Sequence, residues 1–105
     1  MKILDDAKEI IAERGADYGG FMESFNRAST IATALTNKNI TPYDVAAVMM
    51  AVKQSRIGND PMKYDSWVDL INYCVFASFF ASPSQRKNQK VTDEEVEAIV
   101  GMFRE

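Results

Sequence analysis

The sequence predicts a small all-α helical bundle of about five helices with a central antiparallel helix pair. Apolar residues recur at three- and four-residue spacings through most of the chain, and no segment shows a convincing strand pattern. Residues suited to capping or breaking helices separate these periodic segments. A chain of 105 residues with 47% hydrophobic and 26% charged side chains suits one compact domain with a single core.

The first two helices are predicted from their apolar faces. Apolar residues at helical spacing begin at Ile3 and indicate a short amphipathic helix that ends after Arg14, where Gly15 is placed to terminate it. A second helix begins near Phe21 and carries apolar residues along one face as far as Leu35. The turn-prone residues 37–39 follow it.

The third helix has a strong start signal. Thr41 is a good N-cap, Pro42 suits the first helical position, and Asp44 completes a pattern like a capping box. This helix is predicted to run to about Ile57, before Gly58.

The fourth helix is predicted to start at Asp65 or Ser66 and to run to about Ala81. Its apolar run over residues 70–81 is well short of the ~20 residues that a membrane-spanning helix needs, so it predicts a buried core helix. A connection of roughly seven residues between the third and fourth helices predicts that they are antiparallel neighbours.

The last part of the chain follows a polar connector. Thr92 and Glu95 form a capping-box pattern that predicts a fifth helix to about Phe103. We therefore expect a single domain made of a core bundle (1–82), a connector (83–91) and a C-terminal helix (92–105). That helix is expected to dock on the bundle or on a neighbouring subunit.

Composition excludes several classes of function. A net charge of −3 argues against a general nucleic-acid binder, and the absence of histidine removes Ser-His-Asp and Cys-His nucleophile systems. The single cysteine, Cys74, and an amino terminus without a signal-peptide pattern indicate the cytoplasm. No membrane association is expected, and the apolar surface of a short bundle favours a homo-oligomer.

Charged residues flank the loop between the third and fourth helices. Lys53 and Arg56 precede the loop, and Asp65 and Asp69 follow it. At ~1.5 Å rise per residue, Lys53 and Asp69 are expected at about the same height on adjacent antiparallel helices. These four residues therefore form one candidate site at one end of the bundle.

A polar stripe continues from this cluster along the fourth helix. Asp65, Asp69, Asn72 and Tyr73 follow one another at spacings of three or four, which places them on one helix face. The alternative is structural, with Asp69 in a capping box begun by Ser66 and the charges in salt bridges. This alternative explains any one of these residues. The four charged residues together with Asn72 and Tyr73 favour a polar site, because a small core rarely gathers so many polar groups without a use.

A second candidate element is RGADYGG, residues 14–20. Its glycines permit close backbone approach, Asp17 can cap the next helix, and Tyr18 offers a flat ring on which a base could stack. The alternative is an ordinary turn between helices whose tyrosine packs on the core.

The order of three segments resembles a small family of phage and prophage proteins of uncharacterised function. The segments are RGADYGG, NITPYDVAAVMMAVKQSRI and KYDSWVDLINY, and the match covers roughly residues 10–76. More distantly, the layout is similar to the all-α nucleoside triphosphate pyrophosphohydrolases of the MazG and dimeric dUTPase type. The resemblance implies a Mg²⁺ site in which Asp65 and Asp69 replace one of two acidic pairs.

Three functions are consistent with these features. The first is a phage-type protein that binds a nucleotide or a nucleotide-derived signal, linear or cyclic. It would sequester this signal without turnover inside an infected or lysogenic bacterial host. Lys53 and Arg56, which stand where the enzymes keep their first acidic pair, would bind phosphate, while Tyr18 would stack on the base. Asp65 and Asp69 would bind the sugar, the base or a metal, with Asn72 and Tyr73 beside them.

The other two functions belong to different classes. One is a Mg²⁺-dependent pyrophosphohydrolase of nucleoside triphosphates, with Asp65 and Asp69 as metal ligands. The other is a helical protein–protein interaction module with a Met-rich surface. The first function needs no cofactor.

Overall fold

The structure is a computed structural model that describes residues 1–18, 20–82 and 92–104. Within these ranges the chain forms five helices and no strand, which confirms the all-α prediction. The helices are α1 (Lys2–Tyr18), α2 (Phe21–Thr36), α3 (Pro42–Asn59), α4 (Tyr64–Phe80) and α5 (Asp93–Arg104).

Helix α1 is longer than predicted. The expectation that Gly15 terminates it is wrong, because the helix continues to Tyr18. Glycine inside a helix costs about 1 kcal/mol relative to alanine, a penalty that the neighbouring helical residues can offset. Gly20, which precedes α2 as its N-cap, has a φ of 93° that favours glycine.

The start of α3 is confirmed in detail. The Thr41 hydroxyl accepts a hydrogen bond from the Asp44 backbone N–H at 3.2 Å, and the Asp44 carboxylate accepts one from the Thr41 N–H at 3.0 Å. Pro42 occupies the first turn, as its fixed φ favours. Upstream, α2 ends at Asn37, whose left-handed φ of 57° reverses the chain direction.

The connection between α3 and α4 is shorter than predicted. Helix α3 runs through Gly58 to Asn59, and α4 begins at Tyr64, so residues 60–63 alone form the turn. The Trp67 indole N–H donates to the Pro61 carbonyl at 2.9 Å, which fastens the turn to the first part of α4.

The capping alternative for Asp69 is wrong. Helix α4 begins with Lys63 in the N-cap position, so Ser66 lies inside the helix, where it is buried. A serine inside the helix cannot form the N-terminal box that this alternative needs, because the N-cap residue lies outside it. The salt-bridge part of the same alternative is confirmed for Asp69, which pairs with Lys53.

The core is formed by residues from α2, α3 and α4. Phe25 packs its ring against Phe76 at a centroid distance of 5.2 Å, and Phe80 is 1% exposed. Ala46 is fully buried on α3 as part of the same cluster. Helices α3 and α4 share the most extensive packing among the described elements, as expected for a central pair.

Helix α4 is not buried on every side. Phe76, Ala77 and Phe80 lie in the core, which confirms the predicted core helix, while Cys74, Val75 and Ser78 on its other side are exposed. In the described ranges, no helix has both the length and the apolar character that crossing a membrane requires.

Helix α5 packs on α2, so the C-terminal helix docks on the bundle. The Glu95 backbone N–H donates to the Thr92 hydroxyl at 3.2 Å, and this hydroxyl donates to the Glu95 carboxylate at 3.1 Å. Residues 83–91, the predicted connector, lie outside the described residues. The division of the chain into three parts stays a prediction.

A polar contact joins α1 to α4. The Tyr64 hydroxyl donates to the Asp6 carboxylate, and the Lys2 ammonium lies 3.3 Å from that carboxylate and 4.8 Å from the centre of the Tyr64 ring. The Tyr64 hydrogen bond, followed by the one from Lys2, lowers the pKa of Asp6. The same hydrogen bond to Asp6 raises the pKa of Tyr64.

We predict that Thr41→Ala lowers the free energy of unfolding by about 1 kcal/mol, because the Asp44 N–H loses its capping acceptor. Urea denaturation measures this change. Thr41→Ser keeps the hydroxyl and should unfold close to the wild type. Equal stability of Thr41→Ala and the wild type would contradict the assigned cap.

We also predict that Tyr64→Phe raises the pKa of Asp6, because it removes the largest cause of the lowering. A lowered folded-state pKa contributes stability above the unfolded-state value, and this stability is lost as the pH falls through the folded-state pKa. Acidification below about pH 4 should therefore destabilise the wild type more than the variant. NMR titration of the Asp6 carboxyl carbon measures this pKa. Lys2→Met should raise the pKa of Asp6 by less than Tyr64→Phe does, because Lys2 is the smaller cause of the lowering.

Candidate functional site

A cleft of about 280 Å³ opens between α1, α2, α3 and α4. Side chains from all four helices line it, and most of them are apolar. The cleft adjoins the aromatic core, since Phe21 and Phe76 stack with their centroids 4.6 Å apart. The apolar lining includes Ile10, Ile11, Phe21, Phe25, Met49 and Phe76.

Three residues of the predicted polar stripe lie at this cleft. Asp69, Asn72 and Tyr73 line it from α4, and Ser24 lines it from α2. Spacings of three and four residues place the α4 residues on one face, which is the face turned to the cleft. The structure therefore brings three of the seven predicted site residues to a mostly apolar pocket.

Asn72 is the most buried of the polar residues that line the cleft. It is 4% exposed, and its Oδ1 atom has no hydrogen-bond partner among the described residues. A buried acceptor without a donor costs about 1–3 kcal/mol. The cleft lining therefore includes one side chain whose hydrogen-bonding capacity the described residues leave unused.

Lys53 and Asp69 form an ion pair between α3 and α4. The Lys53 Nζ atom lies 2.9 Å from an Asp69 carboxylate oxygen, and the two side chains are 10% and 17% exposed. The structure therefore brings together the two residues expected at matching heights. Lys53 lies behind Asp69 and is not part of the cleft lining.

The remaining predicted residues do not join this cluster. Arg56 and Asp65 are both exposed, neither lines the cleft, and neither forms an ion pair within the described part of the chain. The side chains of Asp17 and Tyr18 lie outside the described residues. The stacking role of Tyr18 stays a prediction.

The first turn of α2 also borders the cleft. Gly20, Phe21 and Ser24 contribute to its wall, and backbone N–H groups in a first helical turn favour anions. The acidic residue of this turn, Glu23, is exposed and paired with Arg27 at 3.3 Å. Sequence reasoning placed Phe21 on a buried face but did not identify it, or Ser24, as part of a site.

The Mg²⁺ site at Asp65 and Asp69 stays a prediction. In the described ranges no group of three or more acidic, histidine or cysteine side chains is placed to hold an ion. Asp69 is already paired with an ammonium group, and Asp65 is exposed on its own. Hydrated Mg²⁺ favours sites with several carboxylate oxygens.

We predict that Lys53→Met lowers the free energy of unfolding by about 3 kcal/mol, because it leaves the Asp69 carboxylate shielded and unpaired. The double variant Lys53→Met/Asp69→Leu should lose less than the sum of the single losses. Chemical denaturation of the four proteins measures this coupling.

The exposed pair Arg27–Glu23 provides a matched control for the ion-pair experiment. Arg27→Met should cost less than about 1 kcal/mol, because water already screens that pair. A loss for Lys53→Met no larger than that for Arg27→Met would contradict a shielded Lys53–Asp69 pair.

Comparison with known proteins places the chain among phage proteins. It is 36% identical over 92 residues to the Gene 55 protein of Mycobacterium phage L5, covering 86% of this chain and 59% of that protein. It is 32% identical over 76 residues to the Gene 55 protein of Mycobacterium phage D29, covering 70% of this chain and 50% of that protein. The chain thus spans between half and three fifths of the length of these relatives.

No solved structure matches the chain. The predicted resemblance to an uncharacterised phage family is supported, whereas the more distant similarity to MazG-type enzymes stays a prediction. Residues 2–81, which include α1 to α4, match the family described as a domain of unknown function (DUF6378), and this chain belongs to that family.

Proposed function

We propose that this protein binds a nucleotide or a nucleotide-derived molecule, with a base seated in the cleft between α1, α2, α3 and α4. The observation that carries this proposal is the side chain of Asn72, which lines a largely aromatic cleft and whose buried Oδ1 acceptor has no partner among the described residues. Heterocyclic bases combine flat apolar faces with N–H groups at their edges. Both features complement this cleft.

The size and walls of the cleft support a ligand of this kind. Its volume of about 280 Å³ is close to the lower end of the roughly 300–1,000 Å³ typical of small-molecule sites. One base with its sugar suits this space better than a whole cyclic oligonucleotide. Phe21, Phe76 and Tyr73 supply aromatic surface for contact with the base.

The phosphate groups are expected near the first turn of α2. Gly20 and Phe21 bring the start of α2 to the cleft border, where the free N–H groups of its first turn favour anions, and Ser24 adds a hydroxyl. Lys53, one of the residues predicted to bind phosphate, is instead held by Asp69. Arg56 is exposed on the last turn of α3 and remains available as a second anion contact.

Binding without turnover is the better-supported activity. Hydrolysis of the MazG kind uses several carboxylates around Mg²⁺, and the described residues assemble no such group. A protein that holds a nucleotide unchanged suits sequestration of a host signal, and the relatives come from bacteriophages. Each protein copy would then bind one base of a cyclic signal.

We predict that Asn72→Leu separates stability from binding. The variant should unfold at the same or a higher urea concentration, because it removes an unpartnered buried acceptor. Its affinity for nucleotides should fall about tenfold or more, because the hydrogen bond from the ligand is lost. Calorimetry measures affinity against nucleosides, mononucleotides, nucleoside triphosphates and cyclic di- and trinucleotides, each with and without Mg²⁺.

The control is Ser78→Ala, a change on the exposed side of α4. A nucleotide at 100 times its Kd should stabilise this variant and the wild type by about 2.7 kcal/mol. Recovery of the nucleotide chemically unchanged supports binding without turnover, whereas release of pyrophosphate would overturn it in favour of the enzyme. No heat and no stabilisation from any nucleotide would overturn nucleotide binding and leave the interaction module.

A further inference from the structure

The polar atoms of the cleft are matched to one kind of base edge. Two of its polar side chains, Asp69 and Asn72, lie three residues apart on α4, so they project from one face as neighbours. A carboxylate accepts hydrogen bonds only, and the unpartnered atom of Asn72 is also an acceptor. The cleft lining therefore includes two neighbouring side chains that carry acceptor oxygens.

The Lys53 ion pair determines whether these acceptors favour a cation or a neutral donor. Lys53 Nζ lies 2.9 Å from one oxygen of Asp69, so the charge of that carboxylate is balanced inside the protein. A cationic ligand would add an unbalanced positive charge to a shielded site, which is costly. Neutral N–H groups satisfy the remaining lone pairs without adding charge.

Among the common bases, guanine presents two adjacent neutral donors on one edge, the ring N1–H and the exocyclic 2-amino group. The corresponding edges of adenine and cytosine carry one amino group beside an acceptor nitrogen. Uracil and thymine carry one N–H between two carbonyl oxygens. Each of these edges would set an acceptor of the ligand against an acceptor of the cleft.

We propose that the cleft selects guanine, with N1–H and the 2-amino group donating to Asp69 and to Asn72 Oδ1. The inference rests on the proposed function, since it names the base that the nucleotide site accepts. The aromatic wall at Phe21 and Phe76 contacts the purine ring, and the sugar and phosphates extend toward Gly20 and Ser24.

Calorimetry with three nucleoside 5′-monophosphates tests this selectivity on the unaltered protein. Inosine monophosphate keeps N1–H and lacks the 2-amino group, so it should bind about tenfold more weakly than guanosine monophosphate. Adenosine monophosphate has neither N1–H nor a 2-amino group, and its N1 is an acceptor, so it should bind about a hundredfold more weakly or worse. The ligand series needs no variant and does not depend on the folding of one.

A substitution then assigns the contact to Asp69. Asp69→Asn replaces an acceptor with an amide, and the preference for guanosine over inosine monophosphate should fall toward one. Asp5→Asn makes the same chemical change on the exposed part of α1 and should leave the preference unchanged. Urea denaturation of both variants establishes that each is folded at the assay temperature.

The outcomes separate the two proposals. Equal binding of guanosine and inosine monophosphates, or tighter binding of adenosine monophosphate, overturns guanine selection while nucleotide binding stands. An unchanged preference in folded Asp69→Asn overturns the assigned contact. Absence of binding by all three monophosphates, and by the wider nucleotide set, overturns the proposed function itself.

Discussion

The shielded ion pair between Lys53 and Asp69 sets the relation between the two central helices. Burying either charge alone is costly, so α3 and α4 must keep these groups within hydrogen-bonding distance. A slip of one helical turn, about 5.4 Å, would separate them. The pair therefore fixes the relative height of the helices more narrowly than apolar packing alone, which tolerates many arrangements.

The same contact also fixes the rotation of α4 about its axis. With Asp69 turned toward α3, residues three and four positions later must face the junction with α1 and α2, which is where Asn72 and Tyr73 lie. Phe76 continues the same face into the core. The cleft is thus an unfilled end of the hydrophobic core, where polar atoms replace the apolar groups that fill the rest.

Features that depend on neighbouring residues were predictable from sequence, and features that depend on packing were not. The capping box of Thr41 and Asp44 and the apolar face of α2 follow from local spacing. The Lys53–Asp69 contact followed from helical rise and a short turn. Nothing local showed that α4 begins at Tyr64, or that Arg56 points to solvent while Asn72 is enclosed, because these outcomes depend on how four helices meet.

The exposure of Cys74 has a practical consequence. It is the single cysteine of the sequence and is exposed on α4, directly after a residue that lines the cleft. A thiol-reactive fluorophore therefore attaches at one defined position without entering the pocket. Ligand-dependent movement of the helix that carries Asp69 and Asn72 then becomes visible as a change in emission, without mutation of the natural sequence.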